Sequence, residues 1–210
     1  MVARSARAER AQKSAGAVRS FFAVELGSEA RQAASAVADA LRKRPDGDAV
    51  RWVRAENLHV TLRFLGNVAS ERLAELARAV AAELHGVLPF TLRLDALHAF
   101  PAPRRPRVVA LGLAPFESIA ELAAAVERGV VAAGFEAEAR PFRAHLTLGR
   151  VRGRYALPSD APAPAPCPFE VGEIALLASD LSPSGPTYTR LERLPLGGDV
   201  HPETRAPGGT

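Results

Sequence analysis

Residues 57–66, NLHVTLRFLG, alternate apolar and polar side chains in the pattern of a β-strand. The leucines and valine of one parity would face the core, and His59 and Thr61 would share the opposite face. The segment therefore predicts a strand that buries one face and presents an imidazole beside a hydroxyl on the other.

A second copy of this pattern lies further along the chain, with its histidine 86 residues after the first. It is the segment 142–151, FRAHLTLGRV, in which His145 and Thr147 again alternate with apolar residues. Two such strands, brought together, would form a pocket with two imidazoles and two hydroxyls. The repeat also indicates a loose internal symmetry.

The rest of the chain contains short apolar segments and three amphipathic segments with helical spacing. Because strands and helices do not alternate strictly, the pattern favours an α+β fold with antiparallel sheets. The last two predicted strands form a hairpin. The predicted strands are residues 20–26, two extended pieces within 50–66, 89–100, 107–113, 142–151, 169–181 and 186–196, and the predicted helices are residues 29–43, 71–84 and 116–132.

Both ends of the chain differ from its body. Residues 1–18 lack apolar periodicity and predict a disordered basic arm, and the Gly- and Pro-rich residues 197–210 predict a flexible tail. Residues 19–196 then form one domain. The first 19 residues hold five basic residues and one glutamate, which accounts for the whole net charge of +4. Any affinity of the body for nucleic acid must therefore come from local arginine clusters, such as those in 104–107 and 140–154.

Composition excludes several classes of protein. Hydrophobic residues make up 48% and charged residues 24%, as in ordinary globular proteins. We expect no membrane-spanning segment, because no run of 18 apolar residues occurs, and no secretory signal at the N-terminus. The single cysteine, Cys167, excludes an internal disulfide framework. We therefore expect a cytoplasmic protein.

Paired imidazoles and hydroxyls point to phosphodiester chemistry. One neutral imidazole takes a proton from the attacking oxygen, and the other, as imidazolium, gives one to the leaving oxygen. Histidine suits both roles because its pKa is about 6.5. Neither motif has a neighbouring carboxylate or third ligand for zinc, and no nucleophile elbow of the form G-x-S-x-G occurs. We therefore expect catalysis without a metal or a cofactor.

Segments 57–66 and 140–150 resemble the paired motifs of the two-histidine phosphoesterase superfamily. They are most similar to those of the bacterial and archaeal RNA 2',3'-cyclic phosphodiesterases, the LigT-like family historically called 2'-5' RNA ligases. The resemblance implies a bilobal fold of two related lobes, each with an antiparallel sheet and flanking helices, and an active site in the cleft between them. Further matching positions are Phe21-Phe22-Ala23-Val24, Trp52, Ser179, Gly185, Tyr188 and Leu191.

The resemblance also implies roles for individual side chains. His59 would be the proton donor to the leaving 3'-oxygen, and His145 would be the proton acceptor that activates water. The product would be an RNA with a 2'-phosphate end. The residues implied to bind phosphate are Thr61, Thr147 and Arg150, to which strand parity adds Arg143, and the implied contact with a base is Phe22.

Strand geometry limits some of these placements. Arg150 has the wrong parity to share the face of the second histidine, unless a bulge at Gly149 resets the alternation or the strand has already ended. Arg143 has the right parity. Alternation puts one of Phe21 and Phe22 in the core and the other in the cleft, but does not decide between them.

The expected partner is RNA with 2',3'-cyclic phosphate ends, including tRNA fragments, bound by a monomer. One alternative is the reverse reaction, which joins such an end to a 5'-hydroxyl in a 2'-5' linkage. Others are a small cyclic nucleotide or ADP-ribose cyclic phosphate as substrate, and a non-catalytic RNA- or nucleotide-binding module. The arginines of 140–154 favour a polynucleotide, although Arg152 and Arg154 are themselves expected in a solvated turn.

Overall fold

A computed structural model describes residues 16–182 and 185–197 of the chain. Over those residues it has an α+β fold with nine strands and three α-helices, and all strand pairs are antiparallel, which confirms the predicted fold class. The strands are β1 Ala17–Glu25, β2 Val50–Trp52, β3 His59–Ala69, β4 Phe90–Phe100, β5 Val108–Ala114, β6 Leu146–Val151, β7 Pro168–Val171, β8 Glu173–Ser182 and β9 Gly185–Pro195, and the helices are α1 Ser28–Arg42, α2 Leu73–Leu84 and α3 Phe116–Ala132.

The two strands with the repeated motif lie in the middle of one sheet. The strand order is β7-β4-β5-β6-β3-β1-β8-β9, and β2 pairs with β6 outside this path. β3 and β6 meet at a single residue pair, Val60 with Leu146. We call β3-β1-β8-β9 the β3 half and β6-β5-β4-β7 the β6 half. The internal symmetry of the sequence is thus a symmetry of the sheet about its centre.

The sheet curls so that the edge strand β7 approaches β8, the strand next to the opposite edge. β7 pairs with β4 in the β6 half, whereas β8 pairs with β1 in the β3 half. Only Gly172 separates these two strands in the chain, and one residue spans about 3.5 Å at most. The prediction of one strand over 169–181 is therefore wrong at Gly172, where the chain leaves one half and enters the other.

Two of the three helices, α1 and α3, are exchanged between the two halves. α1 follows β1 in the chain but packs against β2, β4, β6 and β7, whereas α2 and α3 pack against each other, with α2 also against β9 and α3 against β3. The contact between α2 and α3 is close, because a Cβ atom at Gly129 would lie 2.5 Å from the Cα atom of Val80. A glycine is therefore needed where these helices cross.

Two predicted boundaries shift in the structure. β1 begins at Ala17, so residues 17 and 18 belong to the sheet and not to the predicted arm. The rest of that arm, apart from residue 16, and nearly all of the predicted tail lie outside the described residues. β6 begins at Leu146 and not at 142, which leaves His145 just before the strand. No helix within the described ranges has both the length and the apolar character that crossing a membrane requires.

Candidate active site

Both histidines lie where their strands begin, and both are anchored in the same way. The His59 Nδ1 atom lies 2.7 Å from the carbonyl oxygen of Asn57, and the His145 Nδ1 atom lies 2.8 Å from that of Arg143. A carbonyl oxygen only accepts, so each Nδ1 must carry a proton and donate it. This fixes the ring orientation and leaves Nε2 of each ring as the nitrogen without a carbonyl partner.

The two threonines share the cleft but differ in their contact with the neighbouring histidine. The Thr61 hydroxyl lies 3.1 Å from His59 Nε2. In the neutral ring this nitrogen accepts, so the hydroxyl donates to it. Thr147 lines the same cleft beside His145. Each motif thus presents an imidazole and a hydroxyl on one surface, as the alternation predicts.

A β-bulge follows each threonine and reverses the strand parity. Opposite β1, Ala23 pairs with Thr61 and Phe22 with Arg63, which leaves Leu62 as an extra residue. Opposite β5, the neighbours of the extra residue Leu148 are paired in the same way. The reversal turns the fifth residue after each histidine toward the cleft. These residues are Phe64 in the first motif and Arg150 in the second.

The bulge explains how Arg150 reaches the cleft. Of the two possibilities that the sequence leaves open, a bulge near Gly149 or the end of the strand, the register shows a bulge, one residue earlier than expected, at Leu148. β2 then lies so close to Gly149 that a Cβ atom there would be 2.5 Å from Val50 Cγ1. Arg143, in contrast, is exposed and is absent from the lining of the cleft. Its phosphate contact stays a prediction without the support of strand parity, because the chain is not yet a strand at that point.

Aromatic rings surround His59. The Phe21 ring centroid lies 4.9 Å from that of His59, and the Tyr188 ring meets the imidazole edge-on at 5.1 Å. Phe22 is wholly buried in the main core, so the prediction that it contacts a base is wrong. The bulges in β3 leave Phe21 beneath the imidazole. The exposed aromatic in the cleft is Phe64, whose side chain is 50% exposed.

The cleft has a volume of about 600 Å³ and a basic lining. Sequence reasoning missed Phe64 and the arginines other than Arg150, and it named Tyr188 as a matching position without giving it a place in the site. The repeated motif carried a signal for Phe64, which stands at the same distance from its histidine as Arg150 does. The arginines that line the cleft are Arg19, Arg51, Arg54 and Arg150.

Burial is the largest influence on the charge of His59. It lowers the pKa of His59 below the ordinary value of 6.5. The hydrogen bond to the Asn57 carbonyl and the charge of Glu25 oppose this effect on the pKa. Electrostatic repulsion between an imidazolium at His59 and the neighbouring His145 and Arg150 side chains adds to it. In the free protein His59 therefore favours the neutral form at neutral pH.

Arg63 connects the first motif to the segment that leads into the second. Its Nε donates to Glu127 Oε2 of α3 at 2.6 Å, and its two other nitrogens donate to the carbonyls of Phe64 and Glu136. The other Glu127 oxygen accepts from the backbone N–H of Glu138 at 2.7 Å. The guanidinium thus ties β3, α3 and residues 136–138 together, and those residues precede His145.

A second contact links the first motif to the last hairpin. The buried Asn57 side chain donates from Nδ2 to the carbonyl of Pro186 in β9 at 2.8 Å, while the backbone carbonyl of Asn57 accepts from His59. Asn57 therefore positions both the imidazole and the edge of the cleft. As for metals, no three His, Cys, Asp or Glu side chains in the described part of the chain are grouped as a metal ion requires.

Comparison with known proteins gives one consistent family. The family model described as "LigT like Phosphoesterase" matches residues 24–110 and 113–188. The RNA 2',3'-cyclic phosphodiesterase of Methanothermobacter thermautotrophicus is 35% identical over 181 residues, which cover 83% of this chain and 97% of that protein. The protein of the same name from Archaeoglobus fulgidus is 32% identical over 178 residues, 83% of this chain and 98% of its own.

A solved structure agrees with these relatives. The crystal structure of E. coli LigT complexed with 3'-AMP superposes with a TM-score of 0.72 at 31% identity, covering 87% of this chain and 99% of that one. The matched residues include both histidine motifs and the strands that carry them. This chain therefore belongs to the LigT-like phosphoesterase family.

Proposed function

We propose that this chain is an enzyme that hydrolyses the 2',3'-cyclic phosphate ends of RNA to 2'-phosphate ends. The observation that carries the proposal is the pair of imidazoles on one cleft, each with Nδ1 bonded to a carbonyl and Nε2 left for proton transfer. The names of its relatives, RNA 2',3'-cyclic phosphodiesterases at 30–35% identity, support the same reaction.

In the proposed reaction the two histidines act in opposite directions. His145 Nε2 takes a proton from water as the water oxygen forms a bond to phosphorus. The bond from phosphorus to the 3'-oxygen breaks, and His59 Nε2 gives its proton to that oxygen. The products are a 2'-phosphate and a 3'-hydroxyl, after which solvent returns each ring to its starting state.

The other polar side chains of the cleft would hold the phosphate. Thr61, Thr147 and Arg150 line the same space as the imidazoles. They would donate hydrogen bonds to the non-bridging oxygens, where negative charge grows as water attacks. Arg150 would contribute most per bond, because a guanidinium donates charge-assisted hydrogen bonds to phosphate.

Substrate binding would also set the charge of His59. Its pKa is lowered in the free protein, whereas a proton donor must enter the reaction charged. The negative charge of the cyclic phosphodiester favours the imidazolium form. His59 would therefore take up its proton when the phosphate binds, so that a charged acid is present only with substrate in place.

The substrate class and the assembly state follow from the same geometry. Both histidines come from one chain, so a monomer would hold a complete site. The basic lining of the cleft suits a charged nucleic acid end, and we include tRNA fragments among the substrates.

The first test is hydrolysis of a short RNA with a 2',3'-cyclic phosphate end, in EDTA, by the unaltered protein and by His59→Ala and His145→Ala. Each variant should lose activity by a factor of about 100 or more. His85→Ala is the matched control, because the His85 Nδ1 also bonds a backbone carbonyl, that of Ala82, but on the exposed end of α2. RNA binding without turnover by the unaltered protein would support a binding module instead.

A modified substrate separates the acid from the base. A sulfur atom in place of the leaving 3'-oxygen departs as a thiolate and needs no proton. This substrate should restore most of the activity of His59→Ala and none of that of His145→Ala. Restored activity of His145→Ala and not of His59→Ala would show that His145 is the proton donor and His59 the proton acceptor.

A further inference from the structure

A second basic groove lies beside the cleft and shares no residue with it. It has a volume of about 1040 Å³. It is lined by the loop between β4 and β5 and by the residues that follow β6. Asp46 is the one acidic residue in its lining. The groove, called the arginine groove below, is lined by Arg104, Arg105, Arg107, Arg152 and Arg154.

The arginines of this groove lack the acidic partners that many other arginines of the body have. Among the described residues, nine arginines outside the groove pair with carboxylates, as Arg44 does with Asp160 at 3.1 Å and Arg128 does with Glu83 at 2.7 Å. Within residues 16–182 and 185–197, none of the five groove arginines forms an ion pair. The groove therefore concentrates uncompensated positive charge, although the body as a whole is formally neutral.

The groove and the cleft lie at successive positions along one strand. Arg150 lines the cleft, and the next residue, Val151, donates its N–H to the Arg107 carbonyl at 2.9 Å. Arg152 follows, and its own N–H donates to the Ala49 carbonyl. β6 thus begins beside His145 in the cleft and ends at the groove, about 17 Å away for its five residue steps.

We propose that the arginine groove binds the phosphates of the RNA strand that leads up to the cyclic phosphate end. This inference rests on the proposed function. A 2',3'-cyclic phosphate occupies the last nucleotide, so the chain leaves the cleft on its 5' side only, and a single groove beside the cleft suffices. Arginine contacts with phosphate carry no sequence information, so the groove favours long RNA over mononucleotides without a preference for bases.

The test compares substrates that reach the groove with one that does not. The variants are Arg104→Gln/Arg105→Gln and Arg152→Gln/Arg154→Gln, all at exposed positions. The matched control is Arg78→Gln/Arg93→Gln, which removes the same charge from exposed positions outside both pockets. The substrates are a 2',3'-cyclic mononucleotide and a single-stranded RNA of about 12 nucleotides with the same end, a length within the range of single-strand sites.

For the mononucleotide, each groove variant should have the same kcat/KM as the unaltered protein. For the RNA, its kcat/KM should be lower than that of the unaltered protein. Loss of two phosphate contacts lowers the slope of log affinity against log salt by about 1.4, which corresponds to about 25-fold weaker binding at 0.1 M salt if affinities converge at 1 M. Equal kcat/KM of groove variants and unaltered protein for the RNA would overturn the proposal. So would an equal loss in the control.

A binding experiment keeps the groove testable if no turnover is found. The affinity for a fluorescent RNA of the same length with a plain 3'-hydroxyl end is measured by anisotropy over a range of salt. Weaker binding by the groove variants alone, without turnover in the unaltered protein, would support the groove and reject the proposed function. Unchanged binding by the groove variants would overturn the inference and favour an acidic protein as the partner of this surface.

Discussion

Replacement of Arg63 by methionine should lower the free energy of unfolding by about 3 kcal/mol. The Arg63 side chain is 13% exposed and its partner Glu127 is 29% exposed. A hydrogen bond to a charged group contributes about 1.5–3 kcal/mol, and loss of one partner from a buried pair costs about 3–5 kcal/mol. Because Glu127 keeps some contact with water, we expect a value near the lower end of the second range. Methionine retains most of the apolar stem, so lost packing adds little.

Arg128→Met is a close control for this prediction. Its Nε donates to Glu83 Oε2 at 2.7 Å, nearly the geometry of the Arg63 contact with Glu127, but the Arg128 side chain is 58% exposed. An exposed ion pair contributes about 1 kcal/mol or less. The two variants therefore compare a buried guanidinium that also bonds two backbone carbonyls with an exposed one in a single ion pair of nearly the same distance.

The assay is urea unfolding of both variants. With a slope of about 2 kcal/mol per molar urea, the midpoint of Arg63→Met should fall by about 1.5 M. The midpoint of Arg128→Met should fall by about 0.5 M or less. Equal losses in the two variants would refute the reasoning, because burial would then have no effect. In Arg63→Met/Glu127→Gln the loss should be smaller than in Arg63→Met, since no charge remains unpaired.

Three further predictions concern the packing of the helices, the pKa of His59 and the aromatic side chains of the core and the cleft. Gly129→Ala should destabilise the protein by about 1–2 kcal/mol in urea, because contact with the Val80 backbone costs more than the roughly 1 kcal/mol that alanine adds to a helix; an unchanged midpoint would contradict this. NMR titration should find the pKa of His59 below 6.5 in the free protein and higher with phosphate bound. With a lowered pKa in the folded state, the unfolded chain binds the His59 proton more tightly. The contribution of His59 to stability is therefore present above pH 6.5 and is lost as the pH falls through the pKa of the folded state. A pKa of His59 at or above 6.5 in the free protein would show that burial does not dominate. Phe22→Ala should lower stability by about 3–5 kcal/mol, whereas Phe64→Ala should leave stability unchanged and weaken RNA binding by a factor of about 10; the reverse pattern would return the base contact to Phe22.

The two motif strands at the centre of the sheet could be predicted from the sequence, because alternation of apolar and polar residues along a strand is a local signal. The alternation around His59 and His145 is enough to put each imidazole beside a threonine and to bury the residues between them. Strand parity also indicated that Arg150 could reach the cleft only after a bulge or beyond the end of the strand. The roles of the two histidines in proton transfer stay predictions until the variants are assayed.

The errors arose where strand pairing or strand ends decide the outcome. Which of Phe21 and Phe22 faces the cleft depends on bulges in β3, which lies about 40 residues away in the chain. The phosphate contact of Arg143 was inferred from strand parity, which does not apply there because β6 begins three residues later. The break at Gly172 depends on pairing of its two flanking strands with opposite halves of the sheet, which no local pattern reveals.

The exchange of helices and the single-residue link at Gly172 have a consequence for how the molecule unfolds. The β3 half takes strands from both ends of the domain, and its helix α3 follows a strand of the other half. A fragment made by cutting the chain between the two motifs would lack strands or helices for either half. Although the shape is that of a duplicated unit, we expect one cooperative transition and no autonomous repeat. A substitution in one motif that destabilises the protein therefore also destabilises the structure around the other motif.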